Sequence, residues 1–282
     1  MKNNNKTLLI TGASSGIGHY IVETLAARGW FIFAGYRDEK AAAEIKKISP
    51  ENIQPLYLDV TDENSVLAAR ELINKSGRQL NVLFNNAGTS LGGPLEVISI
   101  TEMKKLFEVN YFGYVRLIQN FLPLLRASQG RIVNISSISG LFTNAFLIPY
   151  CATKYAVESL SDGLRRELKN QKIKVVMIEP GSVKTPIWKK STAWSEDLLK
   201  KARSEVLNSY QPALNNFLKL LVLNEKQAVR PEKLKRAIIK SVESKRPQAR
   251  YRGYFSNWFM AQLLRFLPPK AIDWFFTRLL NK

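Results

Sequence analysis

Short apolar runs alternate with longer stretches of helical periodicity along most of this 282-residue chain. Residues 7–10, 30–34, 53–58, 82–84, 131–135 and 174–178 are compact and mostly Ile, Val, Phe and Leu. Such runs predict strands buried on both faces rather than strands with one wet face. Between them, residues 18–28, 63–74, 102–125 and 152–170 carry apolar side chains three and four apart, the spacing of a helix with one buried face. Six strands joined this way require right-handed crossovers and a parallel, doubly wound α/β sheet. No Pro/Gly/Ser-rich linker or internal repeat interrupts the pattern. One domain over residues 1–253 is expected, with a helical tail over 254–282.

Composition adds a surplus of positive charge. The 42 Lys and Arg against 23 Asp and Glu give +19, and residues 189–282 hold 20 bases against 7 acids, so +13 of it lies there. That surplus suits phosphates, anionic lipid or nucleic acid, or a solvated basic face. Neither an aromatic–basic ribonucleoprotein pattern nor zinc-finger spacing accompanies it, so no specific nucleic-acid partner is expected. One cysteine, Cys151, excludes an intrachain disulfide. The single histidine, His19, with that one cysteine, excludes a zinc site and a Ser–His–Asp triad. Packing accounts for Cys151, and a solvent-facing or packed position for His19. The start of the chain has no long apolar core and no apolar run reaches a membrane span, so a cytoplasmic location is expected.

In a doubly wound sheet, ligands bind beyond the carboxyl ends of the strands. The first strand runs into Thr11-Gly12-Ala13-Ser14-Ser15-Gly16-Ile17-Gly18 and directly into a helix. Glycines there permit a tight turn and close approach to a pyrophosphate, which a helix N-terminus favours. The spacing is GxxxGxG, so glycines serving packing alone are the alternative. The second strand ends at Tyr36-Arg37-Asp38 with no acid at its tip. A carboxylate there selects NAD, whereas the forked donors of Arg37 suit the 2′-phosphate of NADP. An exposed arginine paired with Asp38 or Glu39 is the other possibility.

Tyr150-Cys151-Ala152-Thr153-Lys154 places a phenol and an ammonium one helical turn apart. A free tyrosine titrates at about 10, and a nearby ammonium is expected to pull it down toward acid/base use. Ser136 and Ser137 end the fifth strand, where a hydroxyl can hold a substrate oxygen or satisfy the strand terminus. Asn110, in an otherwise apolar helical stretch, needs partners and so braces the helix or holds a water.

Together these residues resemble the short-chain dehydrogenase/reductase family, in its standard-length branch. The match covers residues 6–187, with the motifs in family order: the 11–18 turn, Asp59, Asn85-Asn86-Ala87-Gly88, Asn110, Ser137, Tyr150 with Lys154, and Pro180-Gly181 through Thr185. The 13-residue step from Ser137 to Tyr150 is the family's usual one, so the resemblance favours Ser137 over Ser136. The resemblance implies a Rossmann-type fold and an NAD(P)-dependent oxidoreductase. In it Tyr150 exchanges a proton with the substrate oxygen, Lys154 lowers its pKa and binds the nicotinamide ribose, and Ser137 orients the oxygen. Asn110 is implied to hold a water leading from Lys154 to solvent. The implied cofactor contacts are Gly12, Ser14, Ser15, Gly16, Ile17, Gly18 and Arg37, then Asp59 and Val60 at the adenine, and Asn86, Ala87 and Gly88 at the ribose. Pro180, Gly181, Val183 and Thr185 are implied at the carboxamide, with Tyr150 and Lys154. Ser15 departs from many NADP-preferring relatives, which carry a base before the second glycine, so the expectation of NADP(H) over NAD(H) rests on Arg37.

Substrate choice is expected in residues 182–230 and the tail. Ile187, Trp188, Trp194, Leu198, Leu199, Phe217, Leu220 and Leu221 offer an apolar lining suited to a bulky ketone, aldehyde or alcohol. The pattern is similar to the retinol/17β-hydroxysteroid dehydrogenase-like subgroup, which implies retinoid-, steroid- or lipid-like substrates. A silent NADP-binding sensor is the alternative, although such a protein is expected to have lost Tyr150 or Lys154. The family commonly forms dimers or tetramers, so a homo-oligomer joined through residues 102–125 and 152–170 is expected. In the tail, Phe255, Trp258, Phe259, Leu263, Phe266 and Leu267 share one helical face, and Pro268-Pro269 ends it. Ile272, Phe275, Phe276, Leu279 and Leu280 rebuild a face amid Arg265, Lys270, Arg278 and Lys282. That tail either covers the substrate mouth or a partner subunit, or lies in a membrane interface as a peripheral contact through 255–282.

Overall fold

The structure is a computed structural model describing residues 6–253 and 266–280. Among these residues, β1 (Thr7–Ile10), β2 (Phe31–Tyr36), β3 (Ile53–Tyr57), β4 (Leu80–Asn85), β5 (Arg131–Ile135), β6 (Lys174–Glu179) and β7 (Arg250–Arg252) form one sheet. Its order is β3-β2-β1-β4-β5-β6-β7 and every pairing is parallel. Both faces are apolar, and the side chains alternate between them. Leu8 and Ile10 pack with Ile32, Val82 and Val133 beneath α1 (Gly16–Ala26) and α10 (Lys235–Glu243). Leu9 packs with Phe33, Leu83 and Ile132 beneath α3 (Glu63–Lys75) and α5 (Gly113–Ser128). Helices on both faces explain why the strands read as uninterrupted apolar runs. The remaining crossover helix at this edge, α2 (Glu39–Ile48), starts on an Asp38 side-chain cap.

Two predicted elements differ. Residues 102–125 are not one helix but α4 (Ile100–Phe107), a π turn (Glu108–Phe112) and α5. The Asn110 amide causes a sideways attachment there: its Oδ1 accepts from Thr89 N–H (2.9 Å), and its Nδ2 donates to Thr89 O (2.9 Å) and Thr153 Oγ1 (3.0 Å). π turns of this kind interrupt helices where a side chain must be aimed. The second difference is a seventh strand, where six were predicted. In β7 only Tyr251 is buried, so no apolar run betrays it. Arg250 anchors it instead, meeting Glu158 (3.0 Å) and Asp162 (2.9 Å) on α6 (Ile148–Glu167) and Glu179 (3.0 Å) on β6.

The predicted substrate segment contains α7 (Ile187–Lys201), α8 (Ser204–Ser209) and α9 (Ala213–Lys226). The tail helix α11 (Pro269–Leu280) starts behind Pro268, as the diproline predicts. It packs against α9, and its Phe276 stacks on Phe142 with ring centroids 6.3 Å apart. Phe255, Trp258, Phe259, Leu263 and Arg265 lie outside the described residues. Among the described residues, no helix is long and apolar enough to cross a membrane.

Candidate active site

Strand order reverses between β1 and β4, and a cleft of about 860 Å³ opens beyond their carboxyl ends. Gly12 (φ 65°) and Gly16 (φ 58°) take left-handed angles in the turn after β1. A Cβ on Gly18 would fall 2.1 Å from the Gly12 carbonyl oxygen, so α1 can seat on β1 only with glycine there. Thr11 Oγ1 accepts from the N–H groups of Asn86 (3.0 Å) and Ala87 (2.9 Å), and Asn86 Nδ2 donates to the carbonyls of Thr11 (2.9 Å) and Gly12 (3.1 Å). These bonds stitch the loop after β4 to the glycine turn. Ser15 gives α1 no side-chain cap, which leaves its first N–H groups to an anion.

Arg37 and Val60 line the far end of this half of the cleft. The guanidinium is exposed and 3.8 Å from Asp59 Oδ2. Asp59 itself does not line the cleft, contrary to expectation. Its Oδ1 accepts from Thr61 N–H (2.9 Å) and Thr61 Oγ1 (2.8 Å), which turns the carboxylate into its own loop. The glycine cradle, the uncapped helix end and the exposed arginine together fit a dinucleotide bearing an extra phosphate.

At the other end, Pro149 sits in the first turn of α6, and Tyr150 and Lys154 follow one turn apart. Ser137, just past β5, lines the cleft with Tyr150, and its hydroxyl works to lower the phenol's pKa. Lys154 is buried, and its Nζ donates to Ile135 O (3.1 Å), the same carbonyl that accepts from Tyr114 Oη (3.2 Å). The ammonium is 5.9 Å from the ring centroids of both Tyr150 and Tyr114. Burial pushes the Tyr150 phenol up to about 12, although the Ser137 hydroxyl works against it. Burial likewise pushes Lys154 down to about 8, with Glu158 opposing. The expected lowering of Tyr150 by Lys154 is not seen: burial is the largest cause of the shift and sets its direction.

Asn110 does not line the cleft either. Its side-chain oxygen and both of its N–H groups are engaged by Thr89 and Thr153, so of the two roles open to it the amide performs bracing. The other expected residues do reach the cleft: Ser14, Ile17, Gly88, Pro180, Gly181, Val183 and Thr185 line it with those already described. Thr185 closes over the turn so tightly that a Cβ on Gly16 would meet it at 2.9 Å.

The wall near Tyr150 is apolar. Phe142, Leu147, Ile187, Trp188, Trp194 and Leu221 line it, and Phe276 of α11 joins them. Trp188 Nε1 donates to Val183 O (2.8 Å) and Trp194 Nε1 to Glu102 Oε2 (2.6 Å), which satisfies their polar edges. Leu198 packs with Leu91, Ile98 and Leu106 behind the wall, and Leu199 and Phe217 pack on Phe146. Those three, with Leu220, do not line the cleft as expected. Sequence reasoning missed Tyr114, Thr11, Thr89 and Thr153. Tyr114 had a faint signal, four residues beyond Asn110 on the same helical side; the threonines had none. His19 lies 3.5 Å from Glu23 on the surface of α1, and Cys151 is buried packing, as expected.

A parallel doubly wound sheet, a glycine turn at its switch point and a Ser–Tyr–Lys group beside it define an oxidoreductase that uses a nicotinamide dinucleotide. Residues 6–196 match the family model of the short chain dehydrogenases. The chain belongs to the short-chain dehydrogenase/reductase family, enzymes acting on CH–OH and C=O groups with NAD(P). It is 33% identical over 281 residues to the NADPH-dependent 3-dehydrocapnine reductase of Ornithobacterium rhinotracheale, covering 97% of each chain. It is 32% identical over 285 residues to 17-beta-hydroxysteroid dehydrogenase type 6 of Bos taurus, covering 97% of this chain and 88% of the other. A solved short-chain dehydrogenase from Streptomyces avermitilis superposes with a TM-score of 0.79 at 27% identity, over 99% of this chain and 98% of that one.

Proposed function

We propose that the chain is an NADP(H)-dependent oxidoreductase that reduces the carbonyl of a bulky apolar substrate, with Tyr150 as proton donor. The observation that carries this is Tyr150, which lines one cleft with Ser137, Lys154 and the aromatic wall. When bound, the reduced dinucleotide supplies the hydride. Gly12, Ser14, Ser15, Gly16, Ile17 and Gly18 bind its diphosphate, Arg37 the 2′-phosphate, and Val60, Asn86, Ala87 and Gly88 the adenosine side. Pro180, Gly181, Val183 and Thr185 hold the carboxamide. With its phenol pushed up to about 12, Tyr150 is protonated at neutral pH and gives its O–H proton to the substrate oxygen. Ser137 holds that oxygen in line. The Lys154 ammonium stabilises the phenolate left behind and binds the nicotinamide ribose. Trp188, Trp194 and Phe142 keep water from the reacting carbon.

The 97% two-way coverage of a relative named as an NADPH-dependent reductase supports both cofactor and direction. A panel of ketones and aldehydes graded by apolar bulk, followed by NADPH absorbance, tests the proposal. Turnover should rise with apolar bulk, and turnover confined to small polar carbonyls contradicts it. The exposed Phe112 and Tyr155, on the π turn and α6, support a homodimer or tetramer through these helices. Sedimentation velocity should show an oligomer at micromolar concentration, and a monomer contradicts it.

A further inference from the structure

We propose that the outer face of α9 and the tail helix α11 is a docking surface for an anionic lipid bilayer, seating the substrate mouth on the membrane. Both helices present one side to the cleft: Leu221 and Asn224 from α9, Phe276 from α11. At 3.6 residues per turn, the opposite side of α9 carries Lys219, Val222, Leu223 and Lys226 as one stripe. The opposite side of α11 carries Lys270, Trp274 and Arg278 at four-residue steps, with Arg278 5.4 Å over the Trp274 ring. Every one of these side chains is exposed. The two helices pack on each other, so their stripes belong to one cover over the cleft.

The apolar members are large and open to solvent. Val222 is 52% exposed, Leu223 49%, Trp274 62%, and Phe266, just before α11, 83%. Single exposed apolar residues are ordinary, but aromatic and aliphatic side chains alternating with bases along two adjoining helices are the pattern of an interfacial surface. The lysine and arginine stems lie along apolar surface while their charges reach the phosphate layer. Glu225 and Asp273 fall beside the stripes rather than within them. Charge complementarity selects the occupant: α9 and α11 carry Lys219, Lys226, Lys270 and Arg278 against Glu225 and Asp273, and all four bases lie in the stripes, a match for anionic headgroups rather than for a second copy of the same basic face. With 14 and 12 residues, the helices are about 21 and 18 Å long, too short to span a bilayer, so they lie on it.

The test is co-sedimentation of the full chain with phosphatidylcholine vesicles, with and without phosphatidylglycerol. The expected result is binding to the anionic vesicles that rises about tenfold over neutral ones and weakens with salt. A Val222→Ser/Leu223→Ser/Trp274→Ser variant and a Lys219→Glu/Lys226→Glu/Lys270→Glu variant should each lose that binding. None of these residues lines the cleft, so both variants should keep the parent's melting temperature and its turnover of a water-soluble carbonyl. Three results overturn the proposal: no binding of the parent to anionic vesicles at low salt, an apolar variant that binds as well as the parent, or sedimentation showing that this variant lowers the oligomeric state, which assigns the face to a second copy. Turnover is read separately, so failure here leaves the reductase proposal standing.

Discussion

Burial of Lys154 predicts that activity and stability respond to pH in opposite directions. The side chain titrates at about 8 instead of 10.5, so keeping it charged in the fold costs about 3 kcal/mol. The ammonium is about nine-tenths formed at pH 7 and about one-tenth formed at pH 9. Tyr150, held near 12, does not titrate in that window. If the ammonium is the form that binds the nicotinamide ribose and receives the phenolate, kcat/KM for NADPH, which reports the free enzyme, falls about tenfold from pH 7 to pH 9. Stability runs the other way. A lysine with a lowered folded-state pKa imposes its full penalty below about pH 8, and the penalty is relieved as pH rises toward 10.5. Lys154→Met removes the penalty and loses the charge-assisted bond to Ile135 O, worth about 2 kcal/mol, so the cofactor-free variant gains about 1 kcal/mol at pH 7. That corresponds to a melting temperature roughly 2 °C above the parent, with activity lost. A variant that melts below the parent at pH 7, or a parent profile flat from pH 7 to 9, refutes the reasoning.

Arg37 and Arg250 carry the remaining predictions. Arg37→Glu places a carboxylate beside the 2′-phosphate site and beside Asp59, so NADPH affinity should fall about 10- to 100-fold while NADH is spared. Fluorescence titration of both cofactors checks this, and equal losses for the two contradict it. Arg250→Leu removes the cation shared by Glu158, Asp162 and Glu179, at a cost of about 3–5 kcal/mol in denaturant or thermal unfolding. A change below about 1 kcal/mol would show that β7 is held by Tyr251 packing instead.

The doubly wound sheet was legible because its central strands are buried on both faces and therefore mostly apolar. β7 was not, because an arginine and three carboxylates hold it rather than a hydrophobic pattern. The helical character of residues 102–125 was legible from periodicity, but the π turn depends on Asn110 meeting Thr89 and Thr153, contacts no local pattern encodes. Tyr150 and Lys154 stood out from their one-turn spacing, and Ser137 from the 13-residue step of the family the chain resembles. Their protonation did not, since it depends on how deeply Tyr150 and Lys154 are enclosed and on the Ile135 carbonyl that Lys154 shares with Tyr114. The turn by which Asp59 Oδ1 meets Thr61, with Oδ2 toward Arg37, was not legible either, since it depends on the conformation of the loop after β3. Phe142 and Phe276 meet across more than a hundred residues of chain, a pairing that only the folded tail creates.

The central claim is that the Tyr150 hydroxyl delivers the proton during carbonyl reduction. Tyr150→Phe keeps the ring, the packing on Trp194 and the glycine turn, and deletes only that oxygen. The direct measurement is NADPH oxidation by parent and variant with the best apolar ketone, alongside NADPH binding to both. Turnover should fall by about 100-fold or more with NADPH affinity unchanged within a few-fold. A variant that turns over within a few-fold of the parent contradicts it.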